Sequence, residues 1–258
     1  MKKSLLIILM LIVLNGYGQT AKEPKTIHVF VALCDNVNQG IVPVPELIGN
    51  GQNPKNNLYW GALYGVKTFF KKTSATWIYL STVESGTPEI LESILFKHKT
   101  KDIYLLADAY DGAKIKKCTE DFLLSSNTHF SRNIVYKEQT IHFGGASDLV
   151  GYVGHDGLME FNVDIHYKTQ PAKEVDAIIL ACTSKDYFKD EIEKSKAHPV
   201  LWTTNLMAPE AYTLEAALNA WAENAESTEI KEKAAQAYNK YQKCGINGAR
   251  RLFATGFE

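Results

Sequence analysis

The chain reads as an α/β protein, a three-layer α/β/α sandwich around a mostly parallel sheet of about six strands. Three observations predict this. Short apolar runs rich in β-branched and aromatic residues alternate with segments of helical periodicity. Several of those runs are apolar throughout, as strands covered on both faces are. Polar residues gather just after the runs, at the carboxyl ends of strands, where open α/β sheets collect ligands. A length of 258 residues suits one such domain, spanning 20–258, large enough to bury a core without staples.

The first nineteen residues are set apart from that domain. Lys2 and Lys3 are basic, residues 5–14 are uninterruptedly apolar, and Asn15-Gly16-Tyr17-Gly18-Gln19 are small or polar. This is the layout of a secretory signal at 1–19. The apolar run is shorter than the roughly 20 residues that span a bilayer, so the expectation is a periplasmic or secreted protein, free of the membrane after cleavage. The charge is balanced, with 28 Lys and Arg against 29 Asp and Glu. Without a clustered basic excess there is nothing to neutralise phosphates, which argues against nucleic acid as a partner.

The elements follow in order. Ile27-His28-Val29-Phe30-Val31-Ala32-Leu33 is a buried strand, and a Gly-, Pro- and Asn-rich loop occupies about 35–56. Loops of that length in compact domains are commonly functional. Tyr59, Ala62, Leu63, Val66, Phe69 and Phe70 are spaced as a helix, and Trp77-Ile78-Tyr79-Leu80 as a strand. Thr87-Pro88-Glu89 has the cap, proline and acid of a helix start. Ile103-Tyr104-Leu105-Leu106-Ala107 is a third strand, followed by a helix over 112–124 whose Ile115, Cys118 and Phe122 form one core stripe. Residues 133–147 fit either a hairpin or one irregular crossing segment. Strands at 149–153, 177–181 and 199–203 alternate with a helix containing Tyr187 and Ile192, and helices at about 209–224 and 228–243 close the chain.

Two strand ends carry complementary chemistry. His155, flanked by Gly154 and Gly157, ends one strand, and Cys182 ends the next. A thiol near its ordinary pKa of about 8.5 is little ionised at neutral pH, and an imidazole placed beside it can take its proton or protonate a leaving amine. Glycines beside the histidine would let a carbonyl approach main-chain N–H groups. The four cysteines, Cys34, Cys118, Cys182 and Cys244, contain no Cys-x-x-Cys pair, so a structural zinc site is not expected.

The pairing of Val153-Gly154-His155-Asp156-Gly157 with Ile178-Ile179-Leu180-Ala181-Cys182 resembles the caspase-like cysteine peptidases, the superfamily of caspases, legumains, gingipains and separases. The resemblance covers about 27–224 and implies Cys182 as nucleophile, His155 as general acid and base, and a main-chain N–H near Gly157 as oxyanion donor. It implies a peptide or protein substrate and no metal or organic cofactor. Asp35 and Asn36 after the first strand, with Asp156 and Thr183 beside the dyad, would line the substrate. The sequence departs from the family pattern twice: Asp156 separates His155 from the glycine that usually follows it, and Leu180 stands where an acid usually precedes Ala-Cys. A non-catalytic exported module using the same cleft for a peptide, glycan or protein is the alternative. A weaker one is a hard cation held by Asp35, Asp108 and Asp156.

Overall fold

The computed structural model describes residues 23–257; the leader expected at 1–19 lies outside them. The protein is α/β. Ten strands are present among the described residues: β1 (Lys25–Ala32), β2 (Trp77–Val83), β3 (Ile90–His98), β4 (Ile103–Tyr110), β5 (Ser131–Tyr136), β6 (Gln139–Gly144), β7 (Leu149–Val153), β8 (Asp176–Leu180), β9 (His198–Thr203) and β10 (Phe253–Ala254). Six helices accompany them: α1 (Val66–Lys72), α2 (Ile115–Ser126), α3 (Ser184–Ser195), α4 (Ala211–Ala222), α5 (Ser227–Gln242) and α6 (Ile246–Leu252). No helix among the described residues is long and apolar enough to cross a membrane.

Eight strands form one mixed sheet in the order β10-β9-β8-β7-β1-β4-β3-β2, rather than the expected six. Its centre is parallel, with β4, β1, β7, β8 and β9 paired in turn. Antiparallel pairs add β3 and β2 on one side and β10 on the other. Strand periodicity divides the core. Ile27, Val29 and Val31 of β1 pack on one face in a cluster shared with α1, α4, α5 and α6, through Phe70, Leu214, Ala234 and Leu252. Phe30 and Ala32 point to the other face, against Cys118 and Phe122 of α2 and Phe188 of α3. Cys118 is therefore core, as its helical spacing predicts.

Three expectations need correction. The helix expected from Thr87 is β3, held between β2 and β4 by long-range pairing. Its Leu, Glu, Ser and Lys residues suit a helix locally, and only its neighbours decide for strand. The helix expected from Tyr59 begins at Val66, because Asn57 organises the preceding turn. The Asn57 amide donates to Cys34 O at 2.8 Å, and its Oδ1 accepts from Cys34 N and Tyr59 N, each at 3.1 Å. The third is an omission, α6 and β10, which follow the two helices expected last.

Residues 133–147 resolve into the β5–β6 hairpin, which lays Ile134, Ile141 and Phe143 over Leu95, Tyr104 and Leu106. Beneath it lies a buried charge cluster. His28 Nε2 and Asp108 Oδ2 are 2.9 Å apart and both side chains are fully buried. Arg132 of β5 reaches in, with Nε 3.4 Å from Asp108 Oδ2 and Nη2 donating to Ser93 Oγ and to Glu84 O.

A candidate active site at the ends of β7 and β8

The parallel register pairs Val153 of β7 with Leu180 of β8, so the chain leaves both strands at the same edge of the sheet. Gly154-His155 emerge from one and Ala181-Cys182 from the other. Gly154 adopts φ +154° and packs so closely on Ala32 that a Cβ would lie 2.8 Å from its carbonyl oxygen. Here glycine is required by both conformation and space. His155, 8% exposed, is held by its own carbonyl, which accepts from the Tyr152 hydroxyl at 2.8 Å, and by Glu160, whose Oε1 lies 2.6 Å from Nε2. Cys182 is followed by Thr183 at φ 51°, a left-handed conformation unusual for a β-branched residue, which turns the chain sharply into α3.

His155 and Cys182 line one cavity of about 460 Å³. Its walls are mostly apolar. The loop after β1 contributes Ile41, Val42, Val44 and Leu58, and the segment after β9 contributes Leu206, Met207 and Pro209. Glu210 and Gln242 add polar groups, joined at 3.1 Å. This is the character of a ligand pocket, apolar with a few convergent polar groups. Among the bulky apolar residues left exposed are Val42 and Leu206, both on this cavity.

The thiol of Cys182 is free, as are those of Cys34, Cys118 and Cys244. Burial pushes the Cys182 thiol above its ordinary value. The Met207 N–H, 3.4 Å from Sγ, pulls it down and the charge of Asp156 pushes it up again. Asp156 is wholly buried. Burial drives its carboxyl up to about 7, against the hydrogen bond from the Leu158 N–H and with a further upward push from Glu160. Its Oδ1 accepts from Leu158 N at 3.1 Å while Oδ2 has no hydrogen-bond partner.

The other residues singled out in the sequence are placed elsewhere. Gly157 opens a short 3-10 turn packed against Phe161 and Ile115, and is not among the cavity-lining residues; the glycines at the cavity are Gly40 and Gly154. Asp35 organises the long loop. It accepts from Val37 N, Asn38 N, Asn38 Nδ2 and Gln52 Nε2, and these bonds outweigh burial to hold its carboxyl below the usual range. Asn36 clasps Val44 through both amide atoms, at 2.7 and 3.0 Å. Thr183 donates its N–H to Asn205 O at 3.0 Å. Asp35, Asp108 and Asp156 are not brought together: among the described residues no three His, Cys, Asp or Glu side chains gather at metal-binding spacing. Sequence reasoning missed Glu160, Glu210 and Gln242, which carry no periodic or motif signal and meet the site only through folding. No family model, no curated protein and no solved structure matches the chain.

Proposed function

We propose that the protein is an exported cysteine hydrolase on a caspase-like three-layer scaffold, acting on peptide bonds through Cys182 and His155. The observation that carries this reading is the convergence of a free thiol and an imidazole, from adjacent parallel strand ends, on one apolar cavity. In the first step the Cys182 proton passes to His155 as Sγ attacks the carbonyl carbon of the substrate. Collapse of the tetrahedral adduct breaks the C–N bond, and His155 returns the proton to the departing amine, leaving a thioester. Water, deprotonated by His155, then attacks the thioester carbon and Sγ leaves with the proton. Because burial keeps the resting Cys182 protonated, His155 acts as the base when substrate arrives rather than holding a preformed thiolate.

Turnover of a peptide library by the mature protein tests the reading. With Cys182→Ala, activity should fall by about a thousandfold or more while the circular dichroism spectrum stays unchanged. Turnover that survives this substitution removes Cys182 from the chemistry.

One observation favours a second reading. A raised thiol with a buried acid beside it is a poor nucleophile, which suits a non-catalytic module that binds a peptide in the same cavity. That reading requires wild-type protein with no turnover and peptide affinity indifferent to Cys182→Ala.

A further inference from the structure

The dyad leaves one contact unexplained. Glu160 Oε1 accepts the main-chain N–H of Gly40 at 2.6 Å and lies at the same distance from His155 Nε2. One carboxylate oxygen thus joins the imidazole to a loop residue 120 positions from Glu160 in the chain. A carboxylate only accepts, so the proton between them sits on Nε2, and Nδ1 is left as the imidazole atom able to take a thiol proton. Gly40 immediately precedes Ile41 and Val42, which with Val44 form one wall of the cavity. Other ionisable groups at the site are Asp156 beside His155, Cys182 on the adjoining strand end, and Tyr59 and Glu210 on the cavity wall.

We propose that Glu160 is the positioning residue of the Cys182–His155 pair: it holds the imidazole in the tautomer and orientation that can accept the thiol proton, and through Gly40 makes that orientation depend on where the cavity wall sits. The inference rests on the hydrolase reading and adds a third residue and a coupling to it. Substrate side chains that press on Ile41 and Val42 thereby reach the histidine through a single oxygen.

The geometry supplies a second, independent variant. A Cβ at Gly40 would collide with Glu160 Oε1 itself, the far end of a flexible side chain, so Gly40→Ala should fold normally while displacing the carboxylate. Because Cys244 is exposed, the measurements use a Cys244→Ser background. The readouts are the rate of Cys182 alkylation by iodoacetamide between pH 6 and 8 and the imidazole N–H proton resonance of His155. The parent should label faster than His155→Ala. Glu160→Ala and Gly40→Ala should each slow labelling by roughly tenfold and each lose the downfield N–H signal, with the double variant no slower than either alone. Parent-like rates and signal in Glu160→Ala overturn the positioning role. Parent-like behaviour in Gly40→Ala alone overturns the coupling to the loop. If the parent labels as slowly as His155→Ala, the dyad itself fails, and this proposal with it.

Discussion

Asp156 separates His155 from Gly157, and its two oxygens meet different surroundings. Oδ1 is bonded to Leu158 N while Oδ2 is buried without a partner, as suits a carboxyl that keeps its proton. A carboxyl raised from 3.8 to about 7 in the folded protein binds more protons folded than unfolded across that interval. Stability therefore falls as pH rises from about 4 to about 7, by up to ~4 kcal/mol, and the cost is complete above the folded value. Asp156→Asn removes this titration. Its melting temperature should fall less between pH 5 and pH 8 than that of the wild type. Cys182 should also alkylate faster at pH 8, because the ionised neighbour that raises the thiol is gone. An unchanged pH slope in the variant would mean that Asp156 is ionised throughout this range.

Among the elements, the β5–β6 hairpin is the one whose attachment depends on charge. Its apolar contact is small, formed by Ile134, Ile141 and Phe143, while Arg132 connects β5 to Asp108 of β4 and Ser93 of β3. Burial raises the Asp108 carboxyl, but the bond from His28 and the charges of His28 and Arg132 outweigh it, so the group sits below the usual range. The stability it contributes is present above the unfolded value and lost as pH falls through the folded one. Arg132→Ala leaves Asp108 buried with less compensation and should cost about 3–5 kcal/mol in urea unfolding. A loss below about 1 kcal/mol would mean that the 2.9 Å contact with His28 suffices to hold Asp108. The junctions at the ends of β7 and β8 are built differently. They rely on conformation, with Gly154 turning the chain after β7 and the left-handed Thr183 turning it after β8 at the same edge.

Across the whole molecule, protection should follow position in the sheet. β4, β7 and β8 lie at the parallel centre, almost every residue buried, whereas β2 forms the sheet's edge and β5 buries only Ile134. Amide hydrogen exchange should be slowest in β1, β4, β7 and β8 and fastest in β2 and the hairpin. Equal protection of β2 and β4 would contradict this ranking.

The parallel centre was legible in the sequence because strands buried on both faces are apolar at every position, a property each segment carries alone. β3 was not legible, since Leu91, Glu92 and Lys97 suit a helix until β2 and β4 take up their hydrogen bonds. Nor was β10, two residues defined only by pairing with Trp202 and Thr203. The same division runs through the site. His155 and Cys182 could be found because each follows its own strand. Glu160 and Gly40, Glu210 and Gln242, and the position of Gly157 away from the cavity depend on residues that approach only when the chain is folded. Local signals in the chain carried the α/β class, the central strands and the placement of His155 and Cys182 at their ends, because periodicity and strand-end position are properties of each segment alone. The tertiary structure decided the antiparallel flanks, the cavity and the carboxylate behind the histidine, because those arise from contacts between distant parts of the chain.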